Sequence, residues 1–257
     1  MIRYIIIDTE SDLMIGDCTD ILGFSEEGIS RDYNEYDLTI AGLKLSDTYI
    51  QHYLATKSSM KEINLYMLDQ EGNKLNSHSF FLHKPYFFHK RAIPQERFNL
   101  EVSGGFSNLP SDEAMKIWKQ WVVAKPTMKN TWENLSSEQL LGWLEVIRVH
   151  SGFNKPQEED QKKNDFYLDM TYVTDVKTFY CALGEAMNGP GGYYGTSLNG
   201  VADHFYGRNG AEPPFNLHFM NGSLNKLMSG YEHGASDLLI LQQIRELLIS
   251  NQVSLIE

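Results

Sequence analysis

Two hydrophobic patterns follow one another along the chain. Over roughly the first 105 residues, apolar and polar positions alternate in short runs, which is typical of half-buried strands. From Ser111 to His150, apolar residues recur every three or four positions, which predicts helices. The last 90 residues or so contain both patterns in turn. These changes of period predict a β-rich part, a helical part and a mixed part, in that order.

Turn-forming and acidic residues bound the alternating runs of the first part. The clearest prediction is a hairpin, because a six-residue turn containing Gly72 separates two alternating runs. Another run stops at Gly104 and Gly105. The predicted strands of this part lie at 3–7, 36–45, 63–68, 75–82 and 98–102.

Capping residues delimit two helices in the middle of the chain. Ser111 and the acids after it predict a helix that runs to about Val123. Ser136 and Gln139 match a capping box, which predicts a second helix ending near His150. All four tryptophans fall in this section and predict either a packed joint between two domains or an exposed aromatic face: Trp118, Trp121, Trp132 and Trp143.

The last part reads as strands joined through helices, which predicts a small parallel sheet. Its predicted strands lie at 166–170, 215–220 and 253–256, and its helices at 175–187, 198–206 and 237–250. A polar, highly charged stretch at 156–165 predicts a linker. The predicted fold class is therefore a two-domain α+β and α/β chain, divided into a β-rich domain, a Trp-rich helical connector and an α/β domain: 1–108, 109–155 and 166–257.

Composition excludes some classes of function. The chain has 257 residues, of which 42% are hydrophobic and 12% aromatic, so it is not a disordered polymer. Its 22 basic and 34 acidic residues give a net charge of −12. Such a chain is a poor candidate for direct nucleic-acid binding through a basic surface and a good candidate for a basic protein partner.

Export, membrane insertion and catalysis are not predicted. The sequence has neither a signal-peptide pattern nor an apolar run long enough to span a bilayer. Cys18 and Cys181 are far apart in the sequence, which favours buried free thiols in a cytoplasmic protein. His78, His83 and His89 do not follow a common metal-ligand spacing. We therefore predict no catalytic residue, cofactor or metal, and an enzyme in the β-rich domain is a minor third hypothesis.

The predicted helix 198–206 has one polar face. Asn199, Asp203 and Tyr206 stand at positions i, i+4 and i+7 and share that face. The preceding loop supplies Tyr193, Tyr194 and Thr196, and of the two tyrosines we expect one in the core and one exposed. An aspartate flanked by tyrosines can present a carboxylate to a cationic pocket. The alternative is that Asp203 is an ordinary exposed acid.

The region around this helix resembles the barstar family of ribonuclease inhibitors. The resemblance lies in residues 182–195, which read ALGEAMNGPGGYYG, and continues through Leu198, Ala202, Asp203 and Gly207. It covers about 90 of the 257 residues. The resemblance implies a barstar-like parallel sheet packed with helices. It also implies an immunity protein that forms a 1:1 complex with a secreted bacterial toxin, a ribonuclease, and plugs its active site.

The chain departs from the family pattern at several positions. Asn199 stands where the family has a second acid, Ser197 where it has asparagine, and Ala202 where it has tryptophan. On the last helix, Glu246 is the only nearby acid apart from Asp237. These departures favour a divergent toxin as the target. The alternative function is a regulatory interaction module that binds an endogenous partner. The predicted partner-binding residues are Tyr193, Tyr194, Thr196, Asn199, Asp203, Tyr206 and Glu246.

Overall fold

The computed structural model describes residues 3–24, 35–89, 93–153, 164–206, 211–229 and 235–257. The chain folds into two compact units, Met1–Ala124 and Lys125–Glu257. The three-part division made from the sequence stays a prediction. Most of the predicted linker at 156–165 lies outside the described residues, as does Gly207.

The first unit is built on a closed antiparallel barrel. Its strands are β1 (Arg3–Asp8), β2 (Leu13–Cys18), β3 (Asp20–Leu22), β4 (Tyr36–Leu45), β5 (Met60–Leu68), β6 (His78–Tyr86) and β7 (Phe98–Phe106). Six of them form a ring in the order β2-β1-β5-β6-β7-β4, and β3 pairs with β4 outside the ring. Closure removes the exposed sheet edges that would otherwise invite aggregation.

The barrel closes where β2 meets β4. Gly16 pairs with Leu45 and Asp17 with Lys44. A Cβ atom on Gly16 would lie 2.1 Å from the carbonyl oxygen of Lys44, so only glycine allows this approach. Along the neighbouring strands, buried residues alternate with more exposed ones, as the pleat requires. They include Ile63, Leu65 and Met67 on β5 and Leu100 and Val102 on β7.

Two helices complete the first unit. Helix α1 (Asp47–Thr56) begins at Ser46, whose hydroxyl accepts from the Tyr49 backbone N–H. It buries Tyr49 and Tyr53 and packs against β2. Helix α2 (Asp112–Val123) begins at the predicted cap.

The second unit holds a small parallel sheet and five helices among its described residues. In chain order the elements are α3 (Ser137–Ser151), β8 (Asp165–Asp169), α4 (Val176–Asn188), α5 (Leu198–His204), β9 (Phe215–Met220), α6 (Leu224–Ser229), α7 (Ala235–Ser250) and β10 (Val253–Ile256). The sheet has the order β10-β9-β8. Helix α4 packs on β8 and on α3, and α5 and α6 both pack on α7.

The predicted fold class was wrong. The described residues form a six-stranded antiparallel barrel with one outside strand, a small parallel sheet and seven helices, not a barstar-like two-domain α+β arrangement. The prediction missed β2, β3, α1 and α6. Since β2 supplies the closing pair with β4, its omission hid the barrel. Closure depends on segments far apart in sequence, which local periodicity does not report.

Many local predictions were nevertheless confirmed. The caps Ser111 and Ser136 begin α2 and α3, and the capping box at Ser136 is complete. Strands 36–45, 215–220 and 253–256 have the predicted bounds. Helix α4 begins within one residue of the predicted start at 175, with Asp175 as its cap. Both cysteines are buried thiols.

All four tryptophans are buried, so the alternative prediction of an exposed aromatic face was wrong. Trp118 and Trp121 belong to the first unit, and Trp132 and Trp143 to the second. None of the helices in the described part of the chain is long and apolar enough to cross a lipid bilayer.

Candidate partner-binding surface

The predicted polar face is present on α5. Ser197 caps this helix by accepting from the Gly200 backbone N–H at 3.1 Å. Val201 and Phe205 are buried, and Asn199 and Asp203 are exposed. Tyr206 follows the helix with 86% of its surface exposed. We call Tyr193, Thr196, Asn199, Asp203 and Tyr206 the loop–α5 surface.

The two neighbouring tyrosines occupy opposite environments. Tyr194 has no exposed surface, and its hydroxyl donates to the carbonyl oxygen of Ala211 at 2.7 Å. It is therefore a core residue whose side chain is not accessible to a partner. Tyr193 is half-buried and lies at the edge of the loop–α5 surface.

The Tyr193 hydroxyl lies in a mixed electrostatic environment. Burial raises its pKa, while a hydrogen bond with the Thr196 side chain and the positive charge of Arg148 on α3 lower it. The negative charge of Asp203 adds to the rise. The phenol stays neutral and keeps its proton at neutral pH. The loop–α5 surface thus combines a phenol, a carboxylate and a nearby guanidinium.

His204 on α5 packs against both Tyr193 and Tyr194 of the preceding loop. Its Nδ1 lies 2.6 Å from the Gly200 carbonyl oxygen, which can only accept, so Nδ1 carries the proton. The imidazole contacts the rings of Tyr193 and Tyr194, with centroids 5.0 and 5.1 Å apart. Burial lowers the pKa of His204, although the Gly200 hydrogen bond and Asp203 act against this effect. This histidine therefore serves as a neutral packing group.

Glycines let the loop before α5 approach both flanking helices. Gly195 has φ +90°, and a Cβ there would lie 2.4 Å from the Val201 nitrogen. A Cβ on Gly184 of α4 would lie 2.3 Å from the Gly192 carbonyl oxygen. The loop is therefore packed backbone to backbone against the end of α4 and the start of α5. This packing fixes the position of Tyr193 relative to Asp203.

Glu246 belongs to a different helix from the other predicted residues. It is exposed on α7, the helix on which α5 packs, whereas the remaining residues belong to α5 and its adjoining loop. The sequence also placed His204 beside the predicted surface, but it gave no role to Arg148 or Glu185. Glu185 lies inside the stretch that carries the family resemblance, and nothing in the local pattern marked it as buried.

A second polar cluster lies on the parallel sheet. His218 Nε2 lies 2.7 Å from Asp165 Oδ1, and the Asn216 amide donates to the same oxygen at 3.0 Å. The Tyr167 ring stacks on His218 at 4.8 Å. The hydrogen bond from His218 lowers the pKa of Asp165. The strand register brings together β8 and β9 residues that are 53 positions apart.

Within the described residues, no group of three or more His, Cys, Asp or Glu side chains is placed to hold a metal ion.

Comparison of the chain with protein-family models, curated proteins and solved structures returned no match.

Proposed function

We propose that this chain is an immunity protein that inhibits a basic toxin, a ribonuclease, by binding its active site through the loop–α5 surface. The observation that carries the proposal is the exposed Asp203 carboxylate on α5, three residues before the highly exposed Tyr206 and close enough to Tyr193 to raise the pKa of that phenol. A ribonuclease active site must attract phosphate with cationic groups, and a carboxylate can occupy the same place.

The rigidity of the surface supports binding. Glycine contacts fix the loop against α4 and α5, and His204 packs against Tyr193. A surface held in one conformation loses little conformational entropy on association. Tyrosines next to a charged centre also match the composition of binding hot spots.

The overall charge supports a basic partner. A net charge of −12 attracts a positively charged protein and speeds its association at low salt. The sequence resemblance of residues 182–195 supports the same class of target. We place the protein in the cytoplasm as part of this proposal, because an intracellular ribonuclease inhibitor protects cellular RNA.

The test begins by capturing partners from lysate of the source cells with the tagged full-length chain. The captured protein is then separated, refolded and assayed for RNA cleavage with and without the inhibitor. We expect a basic nuclease that is suppressed at a 1:1 ratio. A captured partner without nuclease activity would contradict the ribonuclease target, and an endogenous partner that is not a toxin would favour the regulatory alternative.

The contribution of Asp203 is tested by two isosteric changes that each remove one negative charge. Asp203→Asn is expected to weaken binding of the captured nuclease at least tenfold, because a cationic pocket loses its counter-charge. Glu101→Gln, at an exposed position on β7, should change affinity less than twofold. Titration calorimetry measures both. Equal affinities for the two variants would contradict a contact role for Asp203.

A further inference from the structure

We propose that Glu185 is a positioning residue that sets the conformation of the loop at 189–196 and joins it to the segment at 125–135. The importance of this loop for binding rests on the proposed function. The joining of the two segments does not.

The carboxylate of Glu185 connects two separate stretches of chain. This residue lies in the last turns of α4 and is only 2% exposed. Its Oε2 accepts from the Asn130 backbone N–H at 2.8 Å, and its Oε1 accepts from the Gly191 backbone N–H at 3.3 Å. A buried carboxylate shared by two backbone donors holds both at a fixed separation.

A second hydrogen bond, made by the Asn130 side chain, holds the 125–135 segment. Asn130 has φ +64°, in the left-handed region, which asparagine tolerates better than most residues. Its side-chain amide donates to Asp169 Oδ2 at the end of β8, at 3.1 Å. The backbone and side chain of one residue thus attach the segment to α4 and to the sheet. Moving Asn130 would disturb the Glu185 carboxylate directly.

The other end of the connection lies next to the loop–α5 surface. Gly191 precedes Tyr193 by two residues. The Gly192 N–H donates to the Gly189 carbonyl at 2.8 Å, and the Asn188 side-chain amide donates to the Tyr193 carbonyl at 2.6 Å. The loop is therefore a short, internally bonded unit. A change at Gly191 is transmitted to the Tyr193 backbone.

The charge of Glu185 sets the strength of both bonds. Burial raises its pKa, whereas the bonds from Asn130 and Gly191, a hydrogen bond from the Trp132 side chain and the charge of Lys129 lower it. Glutamine in its place keeps one acceptor oxygen but turns an amide donor toward one of the two N–H groups. One of the two bonds must then break, while the volume of the side chain is unchanged.

Amide signals of the full-length chain provide the test, without any partner. In the unaltered protein, the Asn130 and Gly191 amide shifts should follow one common titration, with its midpoint above the usual pKa of glutamate. In Glu185→Gln that shared titration should vanish, and hydrogen exchange at Gly191, Gly192 and Tyr193 should speed up at least tenfold. Glu101→Gln is the matched control and should change neither.

Several results would overturn the proposal. One is independent titration of Asn130 and Gly191 in the unaltered protein, a measurement that stands even if the variant fails to fold. Another is faster exchange in α7 equal to that in the loop, which would mean general destabilisation. A third is full protection of the Gly191 amide in Glu185→Asp, because the shorter side chain cannot span both donors.

Failure of this inference is distinguishable from failure of the proposed function. Asp203→Asn should weaken binding of the captured nuclease and leave the Asn130 and Gly191 signals unchanged. Glu185→Gln should alter both. If no nuclease is captured but the two amides titrate together, the proposed function fails and the positioning role stands.

Discussion

At the scale of single residues, adjacent positions have opposite roles. Tyr193 and Tyr194 are neighbours of one residue type, yet only Tyr193 reaches the loop–α5 surface. The sequence predicted that one would be buried without saying which. The choice depends on the Ala211 carbonyl, 17 positions away, which accepts the Tyr194 hydroxyl. No pattern within a helix or loop encodes such a partner.

Tyr194→Phe should therefore destabilise the chain by about 1–3 kcal/mol, because it leaves a buried carbonyl without its donor. Tyr206→Phe makes the same chemical change at a residue that is 86% exposed and should cost less than about 0.5 kcal/mol. Urea denaturation followed by fluorescence compares the two. Equal losses of unfolding free energy would show that the buried hydrogen bond contributes little.

At the scale of elements, side chains at the ends of strands hold the second unit together. Asp169 at the end of β8 accepts from the Thr171 hydroxyl through Oδ1 at 2.5 Å. The same oxygen accepts from the Thr171 backbone N–H and the Asn221 amide, both at 3.0 Å, and Oδ2 accepts from Asn130. Burial alone would raise the pKa of Asp169, but these hydrogen bonds outweigh it and lower the pKa to about 2. One carboxylate thereby ties β8, the turn after β9 and the 125–135 segment.

The lowered pKa fixes the direction of a pH effect. A carboxyl group with a depressed folded-state pKa stabilises the fold above its unfolded value, near 3.8, and loses this contribution as pH falls toward 2. Asp169→Asn should therefore be clearly less stable than the unaltered chain at pH 7, and the difference should shrink toward pH 2. Denaturation midpoints between pH 7 and 2 measure this. A difference that is constant with pH would contradict an ionic role.

At the scale of the whole molecule, each unit has its own buried core. In the second unit, Leu217 and Phe219 on β9 and Leu241, Ile244 and Leu248 on α7 are buried. The boundary between the units falls at Ala124 and Lys125, so the 125–135 segment and α3 belong with the parallel sheet. The contacts of Glu185 and Asp169 with Asn130 explain why this segment is part of the unit.

A fragment of residues 125–257 should accordingly fold by itself and unfold cooperatively. A fragment of residues 166–257, the domain predicted from the sequence, lacks α3, which packs on α4, and also lacks Asn130 and Trp132. Asp169 then loses the Asn130 donor, and Glu185 loses both. This shorter fragment should be less stable by at least about 1 kcal/mol. Circular dichroism during denaturation compares the two fragments. Equal midpoints would show that the 125–135 segment and α3 are both dispensable for stability.

Structural features that depend on near neighbours in the chain could be predicted from the sequence alone. Caps at Ser111 and Ser136 and the alternation of 36–45 or 215–220 involve groups within a few positions of one another, so periodicity and side-chain chemistry suffice to predict them. The exposed face of α5 follows for the same reason, since the helical repeat places Asn199 and Asp203 together.

Which distant segments meet depends on the tertiary fold. The β2–β4 pair closes the barrel, the sheet register joins Asp165 to His218, and the fold buries Glu185 between Asn130 and Gly191. Each of these contacts depends on bringing separated segments together, which is governed by loop closure and core packing rather than by local preference. The candidate surface was therefore visible in the sequence, whereas the groups that hold it in place were not.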